Sequence, residues 1–589
     1  MEGLKRGRTK IICTIGPSVE TYDMIKELVI TGMDVARLNF SHGTHEEHLK
    51  RINLIKQVRS DLQKPLAIML DTKGPEVRIG KLEGGEAKLV AGQRWILQKQ
   101  EILGNSERVT VRPDVVFSHI KEGMKILFDN GYIASKVIEN SGDEIVVEII
   151  NGGIIRNVKS VNIPLTSLEL PILSERDVAD LKFGCENDID LIAVSFTRSA
   201  EDILAIRTLL SQMNKSHVQL IAKIENHEGI TNLDTILQAA DGLMVARGDL
   251  GVEVPMTQVP KLQKMMLRKC TIAGKPGITA TQMLESMIKN PRPTRAEASD
   301  VANAIYDATS AVMLSGETAM GDYPIECVSV MESIALETEA DFDYDNFFAQ
   351  HASKTQNDIA SAVTSATIKT AYSLNAKAIF AFTSSGITAR LLSRLKPKIP
   401  IIAMTSSERC YHQMAVLWGV IPLLSSPCDN FSTAYEKLSS TALEMGLVSF
   451  GDLVVVTAGA PFGVSGTTNA IVVQNIGDIL VRGVKGFGEK AFGRIKRLMS
   501  IEGVTPYSCK GRVIIVPRWE EAFKPYALEA TAVILQNLSD DDESETRWLE
   551  YCSMAKKTCV TGALDHMNQL KDETFVTVDP AKAVIYREK

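Results

Sequence analysis

The chain has 589 residues, of which 45% are hydrophobic and 23% are charged, and this composition is ordinary for a globular protein. Its length predicts several domains, because a single hydrophobic core rarely exceeds about 250–300 residues. The formal net charge of −7 argues against nucleic acid or an anionic membrane surface as the main partner. The nine cysteines are scattered and form no CxxC pair, which indicates free thiols in a reducing cytosol. No run reaches the roughly 18 apolar residues that a membrane span needs. We therefore expect a cytoplasmic protein.

Eight short apolar runs predict the main domain. They are rich in β-branched residues, and each is followed by turn residues and a helix-like stretch, which is typical of parallel strands buried on both faces. The runs are 10–15, 35–40, 66–70, 191–196, 220–224, 242–246, 277–281 and 311–314. Eight such strands with helical connections predict an α/β protein built on a (β/α)₈ TIM barrel. We assign this catalytic barrel to residues 1–74 and 163–345.

Three further segments flank or interrupt the barrel. Residues 75–162 are rich in Val and Ile and carry turn sequences such as Asp129-Asn130-Gly131, so they predict an inserted β cap domain, a small β-barrel. Residues 346–482 contain further buried apolar runs and predict a C-terminal α/β domain with a regulatory role. Residues 486–589 follow a glycine-rich stretch and form an extra segment with a strand-like end, FVTVDPAKAVIY.

Polar residues follow six of the predicted barrel strands, where the functional side chains of such barrels lie. They are Arg37, Asn39 and Ser41; Asp71, Thr72, Lys73, Glu76 and Arg78; Lys223 and Glu225; Arg247 and Asp249; Thr281 and Gln282; and Ser315 and Glu317. The carboxylates of Glu225 and Asp249 suit Mg²⁺, which is completed by water and substrate oxygens. The arginines offer planar forks for phosphate oxygens. Together the residues predict phosphoryl transfer, in which positioning and charge neutralisation supply most of the catalysis.

Seven motifs then resemble a known family. They are CTIGPS, ARLNFSHG, DTKGPEVR, IAKIENHEGI, VARGDLGVE, ATQMLESM with PRPTRAEASDVANA, and MLSGETAMGDYP. In this order, over residues 8–477, they resemble pyruvate kinase. The resemblance implies transfer of the phosphoryl group of phosphoenolpyruvate to ADP, giving ATP and pyruvate, with Mg²⁺ (or Mn²⁺) and K⁺ as cofactors. It also implies a homotetramer.

The resemblance implies a role for each matching residue. Lys223 would bridge the phosphoryl group in flight, Glu225 and Asp249 would hold Mg²⁺, and Arg37 and Arg78 would bind phosphates of substrate and nucleotide. The other implied roles are K⁺ binding by Asn39, Ser41, Asp71 and Thr72, substrate contact by Gly248, Asp249 and Thr281, and nucleotide contact by His42 and Lys182. Thr281 and Ser315 would lie near the face where the enolate is protonated, and the proton donor stays open.

A hydroxyl-rich turn, TSSGITAR, follows a buried run at residues 383–390. Such a turn is either a helix cap or a nest of N–H groups for phosphate. The resemblance favours an effector site formed by Thr383, Ser384, Ser385, Gly386 and Thr388, together with a second loop at residues 466–469. Members of the family that respond to fructose bisphosphate carry Trp and Arg where this chain has Ala460-Pro461-Phe462. We therefore expect a sugar monophosphate or AMP as the effector.

Two further patterns have less specific explanations. The spacing of His42, His45 and His48 is more consistent with a solvated first helical turn than with a transition-metal site. The final segment is similar to the mobile phosphohistidine domain of phosphoenolpyruvate-utilising enzymes. Residues 539–559 contain no histidine, however, and His566 follows in a helix-like stretch. A structural or interaction role is therefore predicted for this segment.

Two other functions fit parts of the pattern. One is a metal-dependent aldolase or lyase on a related barrel, which also stabilises an enolate with Mg²⁺. The two arginines, the K⁺-type cluster and the inserted cap favour a kinase instead. The other is a catalytically inactive sensor that binds metabolites at residues 383–390. The presence of Lys223, Glu225 and Asp249 argues against it.

Overall fold

The structure, a computed structural model, describes residues 6–587 except 165, 167, 169, 355–357, 463–465, 537–539 and 564–569. Within these ranges the chain forms two compact units. The larger contains residues 6–365 and 382–426, and the smaller contains residues 366–381 and 427–587. No helix in the described ranges is long and apolar enough to cross a membrane.

The larger unit holds the barrel and the cap. It opens with β1 (Lys10–Thr14), α1 (Tyr22–Thr31), β2 (Met33–Asn39), α2 (His45–Leu62) and β3 (Ala67–Asp71). The cap follows as β4 (Arg78–Ile79), β5 (Glu86–Leu89), β6 (Arg94–Gln98), β7 (Arg108–Arg112), α3 (Val116–His119), β8 (Lys125–Phe128), β9 (Ile133–Asn140), β10 (Glu144–Ile149), β11 (Gly153–Arg156) and β12 (Val161–Asn162).

The chain then returns to the barrel through fifteen further elements. They are α4 (Glu175–Glu186), β13 (Leu191–Val194), α5 (Ala200–Gln212), β14 (Gln219–Ile224), α6 (His227–Thr231), α7 (Leu233–Ala239), β15 (Gly242–Ala246), α8 (Arg247–Glu253), α9 (Val259–Ala273), β16 (Gly277–Ala280), α10 (Arg295–Tyr306), β17 (Ala311–Leu314), α11 (Gly316–Ala319), α12 (Pro324–Ala340) and α13 (Tyr344–Ala352).

The eight predicted barrel strands are confirmed. They close in the order β1-β17-β16-β15-β14-β13-β3-β2, and all neighbouring pairs are parallel. Strands β3, β15 and β17 are buried at every residue, because helices cover the outside while side chains fill the inside. Capping boxes begin two of the covering helices, with Thr44 and Glu47 at α2 and Ser174 and Asp177 at α4.

Four barrel strands end earlier than the apolar runs predicted. Strand β1 ends at Thr14 and not at residue 15, and β2 ends at Asn39 and not at residue 40. Strand β13 ends at Val194 and not at residue 196, and β16 ends at Ala280 and not at residue 281. Strands β13 and β16 end there because Phe196 has φ 53° and Thr281 has φ 68°. An extended strand cannot contain residues with these left-handed backbone angles. Non-glycine residues rarely adopt this left-handed conformation, and where they do they often lie at functional sites.

The cap is a separate sheet domain, as predicted. Its seven-stranded sheet runs β12-β8-β9-β10-β6-β7-β4, beside the two-stranded sheet β11-β5. Trp95 and Phe128 pack edge to face in its core, with ring centroids 5.1 Å apart. The predicted turn at residues 129–131 is present, since Asp129, Asn130 and Gly131 all have positive φ.

A C-terminal α/β region follows the barrel. Its elements are α14 (Ile359–Ser373), β18 (Ala378–Phe382), α15 (Ile387–Ser393), β19 (Ile401–Thr405), α16 (Glu408–Gln413), β20 (Val420–Leu424), α17 (Phe431–Glu444), β21 (Leu453–Gly459) and β22 (Thr468–Asn475). In the larger unit β19 pairs in parallel with β20. In the smaller unit residues 378–381 of β18 pair in parallel with β21, and β21 pairs antiparallel with β22.

The rest of the smaller unit is an eight-stranded sheet in the order β23-β30-β29-β25-β26-β27-β28-β24. Its elements are β23 (Asp478–Arg482), β24 (Lys485–Phe487), β25 (Ala491–Arg497), β26 (Arg512–Val516), α18 (Lys524–Glu529), β27 (Ala532–Leu535), α19 (Asp542–Ala555), β28 (Thr558–Thr561), β29 (Phe575–Asp579) and β30 (Val584–Arg587). The sheet begins ahead of residue 486, where the sequence predicted the segment to start. Residue 566, the only histidine of this segment, lies outside the described residues.

Candidate active site

Lys223 lies at the centre of a cluster of ion pairs and hydrogen bonds at the carboxyl end of the barrel strands. Its ammonium Nζ lies 3.0 Å from Asp71 Oδ1, 3.1 Å from Glu225 Oε1 and 2.7 Å from Ser195 Oγ. These side chains extend from the ends of three neighbouring strands, β3, β13 and β14. Parallel strands end at one rim, so the closed barrel brings together residues that are far apart in sequence.

Arg37 extends the cluster to β2. Its Nε lies 2.7 Å from Asp71 Oδ2, and its Nη1 donates to Thr14 Oγ1 at 2.8 Å. Burial by itself raises the pKa of Asp71, but the charges of Arg37 and Lys223 outweigh burial and hold that pKa below its usual value. Asp71 is therefore an anion that orients two cations at the rim.

The environment of Lys223 favours the protonated, positively charged form of its side chain. Burial alone would lower the pKa of its ammonium, but the carboxylates of Asp71 and Glu225 outweigh burial and raise it above the ordinary value. An ammonium that stays protonated cannot act as a general base near neutral pH. It can neutralise negative charge on a phosphoryl group or an enolate oxygen.

Glu225 and Asp249 are the two carboxylates predicted to hold a divalent cation. Glu225 is 1% exposed, and its Oε2 accepts a hydrogen bond from Phe196 N at 2.5 Å. Burial raises the pKa of Glu225 to about 7, while Lys223 lowers it and the nearby charge of Asp249 raises it further. A buried carboxylate that interacts with a second, half-buried carboxylate favours a bound cation. Among the described residues no group of three or more His, Cys, Asp or Glu side chains could hold a metal, so substrate oxygens and water would have to complete the Mg²⁺ shell.

The four residues predicted for K⁺ extend from β2 and β3. Asn39 and Asp71 are direct neighbours in the register of these strands. Asn39 Oδ1 accepts from Ser41 N at 3.1 Å, and Thr72 Oγ1 accepts from Ser195 N at 3.1 Å. The side chains offer only oxygen and amide groups on two adjacent strand ends, a donor set that suits a hard monovalent cation.

A second group of hydrogen bonds joins the backbone turn at Arg247 and Gly248 to Thr281. The hydroxyl of Thr281 accepts a hydrogen bond from Gly248 N at 2.8 Å and donates to Ala280 O at 2.6 Å. Arg247 holds the same turn, since its Nη2 donates to Thr281 O at 2.7 Å while its Nη1 pairs with Asp300 at 2.7 Å. These contacts fix the left-handed turn and the backbone at Gly248.

Ser315 is positioned by the buried carboxylate of Glu317. Glu317 Oε2 accepts from Ser315 N at 2.7 Å, and Oε1 accepts from Leu284 N at 3.1 Å. The carboxylate thereby joins the end of β17 to the segment that follows β16.

Arg78 stands apart from the Lys223 cluster in its contacts. Its guanidinium makes two 2.8 Å hydrogen bonds to Glu76 and donates to Val158 O of the cap at 2.7 Å. The predicted nucleotide residues His42 and Lys182 are both exposed, and no described contact joins either side chain to the cluster.

The prediction of a solvated histidine turn was wrong for His48, whereas the side chain of His45 is 42% exposed and His42 is exposed. His48 is 1% exposed, stacks on Phe40 with ring centroids 3.9 Å apart, and contacts His42 O through Nε2 at 2.9 Å. His45 Nε2 lies 2.6 Å from Asp180 Oδ1. Because helix α2 begins at His45, its first turn packs against α4 and the end of β2.

The hydroxyl turn at residues 383–386 has features of both predicted roles. Thr383 Oγ1 accepts from Gly386 N at 2.9 Å, and Gly386 has φ 82° directly before α15. Ser384 and Ser385 are exposed, whereas Thr388 is buried. In the second predicted loop, Asn469 bonds both N and O of Ala460, at 2.7 and 2.8 Å.

Sequence reasoning missed Ser195 and Thr14. Ser195 Oγ donates to Thr72 O at 2.6 Å and lies 3.1 Å from Asp71 Oδ1, so it links β3, β13 and Lys223. Ser195 follows the fourth barrel strand, in the sequence SFTR, and Thr14 ends the first barrel strand, in the sequence CTIG. The signal was therefore present, because these were the two strand ends left out of the predicted site.

Comparison with known proteins identifies the family. Residues 6–328 match the family model for the pyruvate kinase barrel domain, and residues 361–474 match that for the pyruvate kinase alpha/beta domain. A pyruvate kinase from Geobacillus stearothermophilus is 42% identical over 583 residues, 98% of each chain. One from Clostridium acetobutylicum is 45% identical over 471 residues, 79% of this chain and 99% of the relative.

Comparison with solved structures supports the same family. A crystal structure of a pyruvate kinase from Cryptosporidium parvum has a TM-score of 0.77 and 37% identity, covering 80% of this chain and 96% of that chain. The family assignment excludes the aldolase or lyase interpretation. The chain belongs to the pyruvate kinase family, the enzymes that transfer the phosphoryl group of phosphoenolpyruvate to ADP.

Proposed function

We propose that the cluster around Lys223 is the site at which this chain transfers the phosphoryl group. The observation that carries the proposal is one ammonium within 2.7–3.1 Å of Ser195, Asp71 and Glu225, with Arg37 on the same aspartate. A permanently charged lysine and arginine on one rim neutralise phosphoryl oxygens better than they would in water, because the site is largely desolvated.

In this proposal Lys223 acts on the group in flight. A β-phosphate oxygen of ADP forms the new P–O bond while the bond from phosphorus to the enolate oxygen of phosphoenolpyruvate breaks. Lys223 stabilises the charge on the phosphoryl group and on the leaving enolate, and Arg37 and Arg78 hold phosphate oxygens. Glu225 and Asp249 would hold Mg²⁺ (or Mn²⁺), which supplies further charge neutralisation to substrate oxygens.

The second step places a proton on carbon. The enolate takes a proton at its methylene carbon and becomes pyruvate, which makes the forward reaction strongly favourable. The N–H of Gly248 and the residue Thr281 would orient the substrate carboxylate. Thr281 and Ser315 lie at the rim positions from which a hydroxyl or a water could pass the proton.

A coupled assay for ATP formation tests this assignment. The full chain should turn over phosphoenolpyruvate and ADP only when both a divalent cation and K⁺ are present. Turnover at the full rate after either cation is removed with a chelator or by dialysis would contradict the proposed cation sites.

The K⁺ requirement should depend on Glu76, which follows the predicted K⁺ residues Asp71 and Thr72 closely in the chain. Glu76→Lys supplies a fixed positive charge, so we expect activity in K⁺-free tetramethylammonium buffer to rise about tenfold relative to wild type, equivalent to about 1.4 kcal/mol. Glu76→Gln is the matched control, because it also breaks the Glu76–Arg78 pair without adding positive charge. Full wild-type activity in K⁺-free buffer would refute the requirement itself.

The hydroxyl turn is proposed as the effector site, with a sugar monophosphate such as ribose 5-phosphate, or AMP, as the ligand. Typical allosteric coupling of about 1–3 kcal/mol would lower the half-saturating phosphoenolpyruvate concentration about 5–150-fold. Replacing Thr383, Ser384 and Ser385 with Ala should abolish that response and leave the maximal rate nearly unchanged. Substrate-saturation curves with each effector measure it. An unchanged response in the triple variant would place the site elsewhere, and a stronger response to fructose 1,6-bisphosphate would overturn the ranking.

The final sheet is proposed to support stability and not the chemistry. All candidate catalytic residues precede residue 318, and the Clostridium acetobutylicum relative is matched over 99% of its length by 79% of this chain. Removing residues 478–589, which contain the whole sheet, should therefore retain most of the catalytic rate. It should lower the thermal midpoint, because Lys582 pairs with Asp452 at 2.8 Å and Tyr586 stacks on Phe450. A truncated chain that folds normally but has no turnover would show that the sheet takes part in catalysis.

We further propose that the chain is a cytoplasmic homotetramer, in keeping with its family. Light scattering of the purified full chain measures the assembly, and a monomer at micromolar concentration would contradict it.

A further inference from the structure

The hydroxyl of Ser195 lies between Lys223 and the backbone that follows β3. Ser195 is 6% exposed, and its Oγ accepts a hydrogen bond from Lys223 Nζ at 2.7 Å and donates to Thr72 O at 2.6 Å. A second acceptor, Asp71 Oδ1, lies further from the hydroxyl, at 3.1 Å. A serine hydroxyl has one hydrogen and two lone pairs. The short bond to Thr72 O uses that hydrogen, so a lone pair of Oγ faces the ammonium.

The backbone of Ser195 is held as firmly as its side chain. Ser195 N donates to Thr72 Oγ1 at 3.1 Å, so residue 72 binds both ends of the serine. The next residue, Phe196, has φ 53° and donates from its N to Glu225 Oε2 at 2.5 Å. On the other side Gly74 approaches so closely that a Cβ there would lie 3.0 Å from Ser195 Cβ. The acceptor that Lys223 contacts therefore has a fixed position.

Ser195 differs in kind from the other partners of Lys223. Asp71 and Glu225 are anions, and both are predicted ligands of cations. A cation bound to either carboxylate weakens its attraction for the ammonium, whereas the serine is neutral and has no predicted cation role. A third carboxylate in its place would also reduce the positive charge available to a phosphoryl group. A neutral acceptor fixes the ammonium without that loss.

We infer that Ser195 is a positioning residue for phosphoryl transfer, which aims the ammonium of Lys223 through the relay from Lys223 Nζ to Ser195 Oγ to Thr72 O. The inference rests on the proposed role of Lys223. A lysine side chain is long and flexible, and a small displacement of a group that stabilises a transition state lowers the rate strongly. The relay restricts the ammonium to one place on the rim.

A purely structural role is the alternative, because the same hydrogen bonds join the ends of β3 and β13. Both roles predict that Ser195→Ala is less stable than wild type. Only the positioning role predicts a loss of rate that acts through Lys223. The experiment must therefore separate the rate from the stability and must include a variant without the lysine.

Ser195→Ala should lower kcat about tenfold to a hundredfold at saturating Mg²⁺ and K⁺, the scale of one hydrogen bond to a charged group. The half-saturating phosphoenolpyruvate concentration should change much less, because Arg37 and Arg78 keep their proposed contacts with phosphate oxygens. The matched control is Ser135→Ala in the cap, where another buried serine donates to a carbonyl, Ile126 O, at 3.0 Å. It should keep the wild-type kcat even if its thermal midpoint falls.

A double-mutant cycle with Lys223→Met, followed by luciferase detection of ATP, is the deciding measurement. Without the ammonium the serine has nothing to aim, so Ser195→Ala should lower the remaining rate less than about twofold in that background. An equal loss in both backgrounds would overturn the inference, and so would a wild-type kcat in Ser195→Ala or full recovery of its rate at higher K⁺ concentration. If Ser195→Ala does not fold, Ser195→Cys replaces it, because a thiol fills the position but is a weak acceptor. A wild-type kcat in Ser195→Cys would then overturn the inference, whereas wild-type turnover by Lys223→Met would overturn the proposed function itself.

Discussion

Replacing Lys223 with Met is expected to lower phosphoryl transfer by at least about a thousand-fold, the upper range for removing one electrostatic stabiliser of a transition state. The substitution removes the only ammonium that contacts Asp71, Glu225 and Ser195 together in the described site. Enolisation of bound pyruvate should fall much less, because in the proposed mechanism the carbon is protonated on the face opposite the phosphoryl group. Exchange of the pyruvate methyl protons with deuterium, followed by proton NMR, measures this second step separately.

A matched control shows that the loss is not a general effect on the barrel. Lys289 is an exposed lysine of the same domain, paired at 3.3 Å with Asp322, and Lys289→Met should keep wild-type turnover. Circular dichroism should show that both variants are folded. If Lys223→Met retained a tenth of wild-type ATP formation, Lys223 would not be the residue that stabilises the phosphoryl group.

Replacing Glu225 with Gln is expected to have the second largest effect, a loss of about a hundred-fold or more at ordinary Mg²⁺ concentration. The amide keeps the shape of the side chain but has no charge, so it binds a hard cation weakly. It also leaves Lys223 with Asp71 as its remaining carboxylate partner. Raising the Mg²⁺ concentration should restore part of the rate, which a purely structural defect would not allow.

The pH dependence of Mg²⁺ activation should report the same carboxyl group. Burial raises the pKa of Glu225 to about 7, so the group is increasingly protonated as the pH falls below that value. A metal must displace that proton, and the half-saturating Mg²⁺ concentration of the wild type should therefore rise as the pH falls from 8 to 6. Glu225→Gln should lose this dependence, and a parallel pH profile in the variant would assign the titration to another group.

The fold was predictable because its signals are local. Six of the eight barrel strands are short runs buried at every residue, and turn sequences such as Asp129-Asn130-Gly131 separate the strands of the cap. The exact strand ends were less predictable, because the left-handed backbone of Phe196 and Thr281 is set by tertiary contacts. For Thr281 these contacts are the hydrogen bonds from Arg247 and Gly248, which no local pattern contains.

The site was predictable where a strand end carries an unusual set of charged residues, as at Lys223 and Glu225. Ser195 was missed because a serine after a strand is common and its role depends on contacts with Asp71 and Lys223. His48 was mistaken for a solvated residue because its burial depends on Phe40, which lies on the preceding strand end. Charged clusters are therefore easier to predict than the neutral groups that position them.

Phosphorus NMR of the full chain with phosphoenolpyruvate, ADP, Mg²⁺ and K⁺ tests the central claim most directly, since it follows the transferred atom itself. We expect the phosphoenolpyruvate signal to disappear while the γ-phosphate of ATP appears in equal amount, and Lys223→Met to leave both signals nearly unchanged over the same period. Release of inorganic phosphate in place of ATP, or equal ATP formation by Lys223→Met, would contradict a phosphoryl-transfer site built around Lys223.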